Sequence, residues 1–409
     1  MPPSTADTAA EAPAPPPPRL TLLSLPDELL AQIFRHLHAE YRRKTLGIPP
    51  LDVLLISKRL HAIAQPIWFS TLVEPENAKR SERFYAGMIT HTALLGHVHD
   101  LQISLEPVYP AWKIAVFSHF VGLKTLRLRQ LGEQEPRTLS LPNQDLARVK
   151  SLCLLSQAIR FNFPCRSVVQ SLDMPASART SSSLSTLRVL TLRIDRDVSL
   201  CDLPWACLIR LEIVVQPEII AIPMRVLQDL LIQTAAEDAF ASLRELKIVL
   251  TEASAAQREI CAKLLACFSR TTPTKVELEV GDLTEAVMSF SWNSLKHLTL
   301  RSRTDMTQSY AFSRFALYLE ELTTLSSLTL VDFNWDGSDD RSLSELEAPA
   351  GPWDFRALPS LYTFIHILRD HTQILHLQVR DTLWREWQWN RLSASNDFQA
   401  DSYDLDSPF

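Results

Sequence analysis

The sequence predicts an α/β protein in which a module of three short helices precedes a solenoid of strand–helix units with a parallel β-sheet. Two observations predict the solenoid. The pattern L-x-x-L-x-L, with other aliphatic residues allowed, recurs along most of the chain, and segments between its copies carry apolar residues at helical spacing. A third observation predicts the module, because three separate stretches between residues 26 and 68 carry apolar residues three or four positions apart.

Each copy of the pattern alternates apolar and polar residues, as a short half-buried strand does. Strands linked by helices at such a period stack as right-handed units around a parallel sheet. The copies are Val98/Leu101/Ile103, Leu123/Leu126/Leu128, Val149/Leu152/Leu154, Val169/Leu172/Met174, Leu187/Leu190/Leu192, Leu208/Leu211/Ile213, Leu243/Leu246/Ile248, Leu295/Leu298/Leu300, Leu325/Leu328/Leu330 and Ile374/Leu377/Val379, with Val276/Leu278/Val280 as a further strand in plain alternation.

Three of the intervening segments predict helices with one apolar face each. The faces are Ile260, Leu264, Leu265 and Phe268; then Phe312, Phe315, Leu319 and Leu322; and finally Leu361, Phe364, Ile365 and Leu368, after an opening Pro359. A different α/β sheet with leucine-rich strands is the alternative fold.

The first helix of the module is predicted to begin at Pro26, where a missing N–H costs nothing. Asp27 and Glu28 then match the positive end of the helix dipole. The apolar stripe that follows comprises Leu29, Leu30, Ile33, Phe34 and Leu37.

A second helix is predicted to begin near Pro50, and a third carries Leu60, Ile63, Ala64 and Ile67 on one face. Pro66 is expected to end or kink the third helix near Gln65. Because three short helices bury little surface alone, an exposed apolar stripe on this module predicts a docking face.

Residues 22–74 resemble the F-box, including that of fungal repeat proteins. The matching residues are Leu25-Pro26-x-Glu28-Leu29-Leu30-x-x-Ile33-Phe34-x-x-Leu37, Leu54-x-x-Ser57-Lys58-Arg59-Leu60-x-x-Ile63-Ala64 and the ending QPIWFSTL. One departure is the segment from His38 to Pro50, which is longer and more basic than the usual turn between helices.

The F-box resemblance implies docking on the Skp-type adaptor of a cullin–RING ubiquitin ligase. Its first anchors would be Leu25, Pro26, Leu29, Ile33 and Leu37. The residues that could serve either the module's own core or that contact are Leu55, Leu60, Ile63 and Trp68.

Residues 96–385 resemble a degenerate leucine-rich-repeat solenoid. The asparagine of the standard repeat is missing at every corresponding position, which predicts irregular turns. In such repeats the residues between the leucines face the concave side, where they would hold a target protein. The candidate target-binding residues are Arg127, Arg129, Arg193, Lys247, Arg301 and Arg380, interspersed with Glu212 and Glu277. This mixture of charges suggests a polar protein surface as target.

The chain is therefore divided into five parts. These are a disordered Pro/Ala-rich tail (1–19), the F-box-like module (20–75), a linker helix (76–95), the solenoid (96–390) and an acidic flexible tail (391–409).

Composition limits the classes of binding partner and the cellular compartment that are expected. The net charge of −6 gives no reason to expect nucleic acid or an anionic membrane as partner. No apolar run is long enough to span a bilayer, and the N-terminus lacks signal-peptide features. The six cysteines are sparse, and no Asn-x-Ser/Thr sequon occurs, so cytoplasm and/or nucleus is expected.

The sequence favours a non-catalytic protein without a cofactor. Its eight glycines form neither of the common phosphate-binding motifs, and G-x-S-x-G is absent. The function predicted is that of a substrate-recognition adaptor of an SCF-type E3 ligase, with catalysis left to the partners. A non-ligase repeat scaffold, whose helices only cap the first strand, is the alternative; an enzyme with an unrecognised site ranks last.

Two candidate metal sites are weak. The segment from Asp332 to Asp340 resembles the start of a calcium loop, but Leu343 stands where a bidentate glutamate is needed. His91, His97 and His99 cluster in sequence without further zinc ligands, which favours a structural role. No metal site is therefore predicted.

Two further groups, the paired cysteines and the C-terminal tryptophans, are interpreted as structural. Cys201/Cys207 and Cys261/Cys267 have neither zinc-binding nor redox spacing. Trp384, Trp387 and Trp389 predict a C-terminal cap on the solenoid, with a contact patch as the alternative.

Overall fold

A computed structural model describes residues 22–44, 57–75, 78–105, 119–130, 137–140, 148–155, 159–162, 168–180, 184–200, 203–219, 221–236, 240–250, 254–281, 283, 285–288, 290, 292–306, 309–335, 359–370, 373–381, 386–390 and 399–400. The contacts between residues divide the chain into two compact units, Met1–Val98 and His99–Phe409. Each unit is described by itself.

The first unit is mainly helical. After a 3-10 turn at Leu22–Ser24, its elements are α1 (Asp27–Lys44), α2 (Lys58–Trp68), β1 (Thr71–Val73), α3 (Ala78–Thr90) and α4 (Thr92–Leu95). As predicted, α1 begins directly after Pro26, whose carbonyl accepts the N–H of Leu30 at 3.1 Å. Ser57 caps α2, because its hydroxyl accepts the N–H of Leu60 at 3.1 Å.

One expectation about these helices is wrong, and for Pro66 one of the two expected effects is excluded. Helix α1 continues to Lys44, so the first part of the segment assigned to a long turn is helical. Helix α2 does not end at Gln65 but contains Pro66 and runs to Trp68. Pro66 removes one N–H donor from the helix, yet the N–H of Phe69 still closes the last turn on the carbonyl of Gln65 at 3.0 Å. The second predicted helix, near Pro50, lies outside the described residues.

The core of the first unit lies between α1 and α2. Its buried side chains are Leu30, Phe34, Leu60, Ala64 and Trp68, with Leu25, Ile63, Ile67 and Phe69 partly buried against them. Leu60 and Trp68 therefore serve the core, whereas Leu55 lies outside the described residues.

The linker helix predicted for residues 76–95 is two helices, separated at His91. A buried carboxylate ties α3 to the chain that precedes it. Glu74 accepts hydrogen bonds from the hydroxyls of Ser81 and Tyr85, the latter at 3.1 Å. These bonds satisfy a charge that would otherwise be costly to bury.

The second unit alternates strands with loops and helices. Its strands are β2 (Asp100–Leu105), β3 (Thr125–Gln130), β4 (Arg137–Ser140), β5 (Ser151–Leu154), β6 (Ile159–Asn162), β7 (Ser171–Pro175), β8 (Arg179–Thr180), β9 (Val189–Ile194), β10 (Arg210–Val215), β11 (Glu245–Leu250), β12 (Lys275–Glu279), β13 (His297–Arg301), β14 (Ser327–Phe333), β15 (His376–Asp381), β16 (Glu386–Asn390) and β17 (Gln399–Ala400). Its helices are α5 (Met224–Ala235), α6 (Ala255–Cys267), α7 (Glu285–Met288), α8 (Ser309–Glu321) and α9 (Pro359–Asp370).

This unit is an α/β structure built on one long, mostly parallel sheet. The strand order in the second unit is β2-β3-β5-β7-β9-β10-β11-β12-β13-β14-β15-β16-β17, which follows the chain. All pairs from β2 to β15 are parallel. Strands β4, β6 and β8 form a second, small parallel sheet that the sequence pattern did not predict.

The predicted aliphatic positions form two continuous columns across the sheet. Leu211 on β10, for example, pairs in register with Leu190 on β9 and Leu246 on β11. Every residue of the predicted triplets is buried. The predicted helical faces on α6, α8 and α9 are buried too, except for half-buried Ile365 and Phe312, whose side chain is outside the described set.

A second apolar position precedes each of several strands and escaped the sequence pattern. The first aliphatic residue of a triplet donates its N–H to the carbonyl of a residue three positions earlier, closing a tight turn. That earlier residue is buried and bulky, namely Phe120, Leu184, Trp205, Phe240 or Trp292. Leu322 makes the same turn before β14 and was already part of a predicted helical face.

The last two strands pair in antiparallel fashion, β16 with β15 and β17 with β16. Trp387 and Trp389 are buried on β16 opposite Val379 and Leu377, as a cap on the last parallel strand requires. Trp384 lies outside the described residues. Gln399 and Ala400, which lie in the segment predicted to be a flexible tail, pair with β16.

The described helices include none that is both long and apolar enough to cross a membrane. The predicted tail at residues 1–19 is outside the described residues.

Replacing one column residue is expected to destabilise the second unit strongly. Leu211→Ala leaves a cavity at a fully buried position and should lower the free energy of unfolding by about 2–5 kcal/mol. Leu231→Ala, at a position 53% exposed on α5, is the matched control and should cost less than about 0.5 kcal/mol. Urea unfolding followed by circular dichroism measures both variants. Equal losses of free energy of unfolding would contradict the role of the aliphatic column in stabilising the unit.

Candidate functional site

Helix α1 carries two apolar faces, of which one is buried and the other is exposed. Leu30 and Phe34 are buried against α2. Leu29, Ile33 and Leu37 are 45%, 37% and 43% exposed, and their spacing of four residues places them along one side of the helix. We call these three residues the exposed stripe. The sequence grouped both faces in one apolar stripe; the structure separates them.

The remaining two predicted anchors precede α1. Pro26 is exposed, whereas Leu25 is half-buried and packs against the core of the unit. The predicted anchors therefore form one region at the start and along one side of α1, in which Leu25 contacts the core as well.

A guanidinium group holds the segment before α1. Arg59, in the first turn of α2, donates hydrogen bonds to the carbonyls of Leu23 (2.6 Å) and Leu25 (2.8 Å). Its Nε also donates to the carboxylate of Asp27 at 2.8 Å. The sequence had placed Arg59 in a motif without assigning it a role.

The other side of α1 borders a groove of about 500 Å³ against α2. The groove is lined by Ala31, Arg35, His38, Ile63, Pro66, Ile67 and Ser70. The ring of His38 packs edge-on against Trp68, with centroids 5.5 Å apart. Core, groove and exposed stripe thus occupy different sides of the helix.

The exposed stripe has the chemistry of a docking surface. Aliphatic side chains aligned along one side of a helix pack into an apolar groove of a partner protein. They offer no nucleophile, acid or base, so this surface is suited to binding and not to catalysis.

The polar face of the sheet was the second predicted site, and its charges are largely paired with one another. Lys247 lies between Glu212 (3.5 Å) and Glu277 (2.9 Å) on the neighbouring strands. Arg210 and Lys275 approach Glu245 at 3.8 and 3.9 Å. We call the row from β10 to β12 the charge ladder.

The other predicted target-binding residues are engaged as well. Arg127 pairs with Asp100 at 3.0 Å, and Arg193 pairs with Asp173 at 3.1 Å. Arg301 lies 3.4 Å from Glu279 and 3.6 Å from Asp332. Arg129 and Arg380 also have partners. The sequence predicted the mixture of signs correctly but not that the charges satisfy each other, since cross-strand register is invisible in one sequence.

The protonation of the charge ladder follows from its packing. Burial acts to lower the pKa of Lys247, but hydrogen bonds and charge from Glu277 and Glu212 outweigh burial and raise this pKa above its ordinary value. Lys247 therefore stays positively charged between its two carboxylates at any physiological pH.

One cysteine lies on the same face. The thiol of Cys153 donates to the carboxylate of Asp173 at 3.1 Å. Burial, followed by the negative charge of Asp173, raises the pKa of Cys153 to about 12. Such a thiol stays protonated and is a poor nucleophile. Cys261 and Cys267 are buried on α6, as expected of small apolar residues.

The described residues of the two candidate metal sites are placed as follows in the structure: an aspartate is paired with an arginine, and three histidines are exposed. Asp332 pairs with Arg301, and Asp336, Asp339 and Asp340 lie outside the described residues. The side chains of His91, His97 and His99 are all exposed, so none of the three belongs to a buried core. Within the part of the chain that is described, no three His, Cys, Asp or Glu side chains are placed to hold a metal.

Neither a scan against protein-family models nor a search of curated proteins finds a match to this chain.

Removing the cation at the centre of the charge ladder should destabilise the sheet. Lys247→Met leaves Glu212 and Glu277 facing each other in a partly buried setting, for an expected loss of about 1–3 kcal/mol in the free energy of unfolding. Lys263→Met, which breaks an exposed pair with Glu259, should cost less than about 1 kcal/mol.

The triple variant Glu212→Gln/Lys247→Met/Glu277→Gln should recover most of that loss, because the repulsion is gone. Chemical denaturation measures all three proteins. Lys247→Met with wild-type stability would contradict a structural role for the ladder and return Lys247 to the candidates for target binding.

Proposed function

We propose that this chain is a substrate-recognition adaptor of an SCF-type, cullin–RING ubiquitin ligase. Its first unit would dock on a Skp-type adaptor as an F-box does, and its second unit would hold a target protein as a leucine-rich-repeat solenoid does. The proposal places the protein in cytoplasm and/or nucleus and assigns it no catalytic residue and no cofactor.

The observation that carries the proposal is the exposed stripe on α1. A helix that only completed a local core would turn its apolar residues inward, yet Leu29, Ile33 and Leu37 remain open to solvent. They are three of the five residues that the F-box resemblance assigns to adaptor contact. Covering such a surface is favourable, since a fully buried leucine or isoleucine gains about 1.5–3 kcal/mol over an exposed one.

The in-register sheet supports the second half of the proposal. Parallel strands that follow chain order present one extended polar face, and extended faces of this kind suit a protein target. Because the charges on β10–β12 pair internally, target contact would depend on shape and hydrogen bonding there more than on net charge.

The alternative is a repeat scaffold that binds no ligase. In that interpretation the first helices cap the solenoid, and their apolar stripe is buried inside the chain. Within the first unit Leu29, Ile33 and Leu37 are left out of the core, which supports docking, and adaptor binding decides between the two interpretations.

Adaptor binding tests the proposal directly. The full chain is titrated with a purified Skp-type adaptor, and the dissociation constant is compared for wild type, Leu29→Ala/Ile33→Ala and Leu25→Ala/Pro26→Ala. Each double variant removes apolar contact worth more than about 1.4 kcal/mol, so binding should weaken at least tenfold.

The matched control is Leu231→Ala/Leu317→Ala, two leucines that are 53% and 60% exposed on α5 and α8. It should bind as wild type does. Circular dichroism confirms that every variant is folded. Folded wild type without affinity for the adaptor would contradict the proposal, as would a control variant that loses as much affinity as the α1 variants.

A further inference from the structure

One side chain from α2 holds the backbone from Leu23 to Asp27, beside the packing of Leu25 against the core. Arg59 donates to the carbonyls of Leu23 and Leu25, at 2.6 and 2.8 Å, and to the carboxylate of Asp27 from both Nε and Nη2. These contacts join residues more than thirty positions apart. We call them the arginine clamp.

The carbonyls of Leu23 and Leu25 precede α1 and accept no helical hydrogen bond from its first turn, where the first bond runs from Leu30 N–H to the carbonyl of Pro26. Without Arg59 they would rely on water, and the backbone before α1 would be free to adopt many conformations. The clamp therefore fixes the backbone on both sides of Ser24, and it adds to the core packing that holds the side chain of Leu25.

The clamp contributes geometry more than electrostatic energy. The side chains of Arg59 and Asp27 are 44% and 62% exposed, and an ion pair at such a position adds little stability. A planar guanidinium, however, can bridge two carbonyls and a carboxylate at once, which a lysine ammonium on a flexible stem cannot do in the same geometry.

We propose that Arg59 is a positioning residue for adaptor docking, holding Leu25 and Pro26 in the conformation in which a Skp-type adaptor contacts them. The inference rests on the proposed function. The clamp spares the complex the entropy cost of ordering this segment on binding, so its loss weakens affinity although Arg59 itself need not touch the partner.

The test compares Arg59→Lys with wild type, using the full chain and a purified Skp-type adaptor. Lys58→Ala, at the neighbouring exposed position, is the control. Arg59→Lys should weaken adaptor binding about tenfold, whereas Lys58→Ala should bind as wild type does. In the free protein, hydrogen–deuterium exchange should accelerate at the amides of residues 23–29 in Arg59→Lys and stay unchanged in α2.

A second readout separates positioning from a general structural role. Introduced into Leu25→Ala/Pro26→Ala, Arg59→Lys should have little further effect on affinity, because the side chains that it positions are already absent. If the two losses add in full, or if exchange at residues 23–29 is unchanged, the positioning role is overturned.

Failure of the inference differs from failure of the proposed function. If wild type binds the adaptor and Arg59→Lys binds equally well, only the positioning role is overturned. If wild type does not bind, the docking function fails and the role of Arg59 in docking fails with it.

Discussion

The second unit depends on the in-register stacking of aliphatic side chains along a parallel sheet. Leu211 is buried because Leu190 and Leu246 lie at the same register on both sides, and the same holds from β2 to β15. A single strand with its loop cannot bury its own leucines, so each unit is stable only between neighbours. The column of aliphatic side chains also restricts charged side chains to the other face of the sheet. Residues between the leucines lie on the opposite face, where cross-strand neighbours are close enough for Lys247 to pair with Glu212 and Glu277.

In the first unit, by contrast, part of the apolar surface stays exposed, because the core between α1 and α2 is too small for all their apolar residues. Leu30 and Phe34 fill that core, and Leu29, Ile33 and Leu37 remain outside it. In the proposed function a partner protein completes the burial that the unit cannot achieve alone. Arg59 links α2 to the start of α1, since its side chain extends from the first turn of α2 and binds the backbone that leads into α1.

Periodicity predicted most of the architecture from the sequence. The last two residues of each L-x-x-L-x-L triplet coincide with buried strand positions, because a period of two on a half-buried strand leaves few alternatives. Helices α6, α8 and α9 follow from apolar spacing. The continuation of α1 to Lys44 was missed because a basic, polar stretch lacks an apolar period although arginine and lysine favour helices. The ion pairs of Arg193 and Arg301, and the clamp of Arg59 on Leu23, join residues that are distant in sequence, and only the folded chain reveals them.

The most direct test of docking through α1 is a hydrogen–deuterium exchange footprint of the full chain, with and without a saturating purified Skp-type adaptor. Docking through α1 predicts slower exchange from Leu23 through His38 in the complex, because the start and the exposed stripe of α1 become covered, and unchanged exchange along β2–β15. Protection confined to the strands of the second unit, or no protection at all, would contradict it.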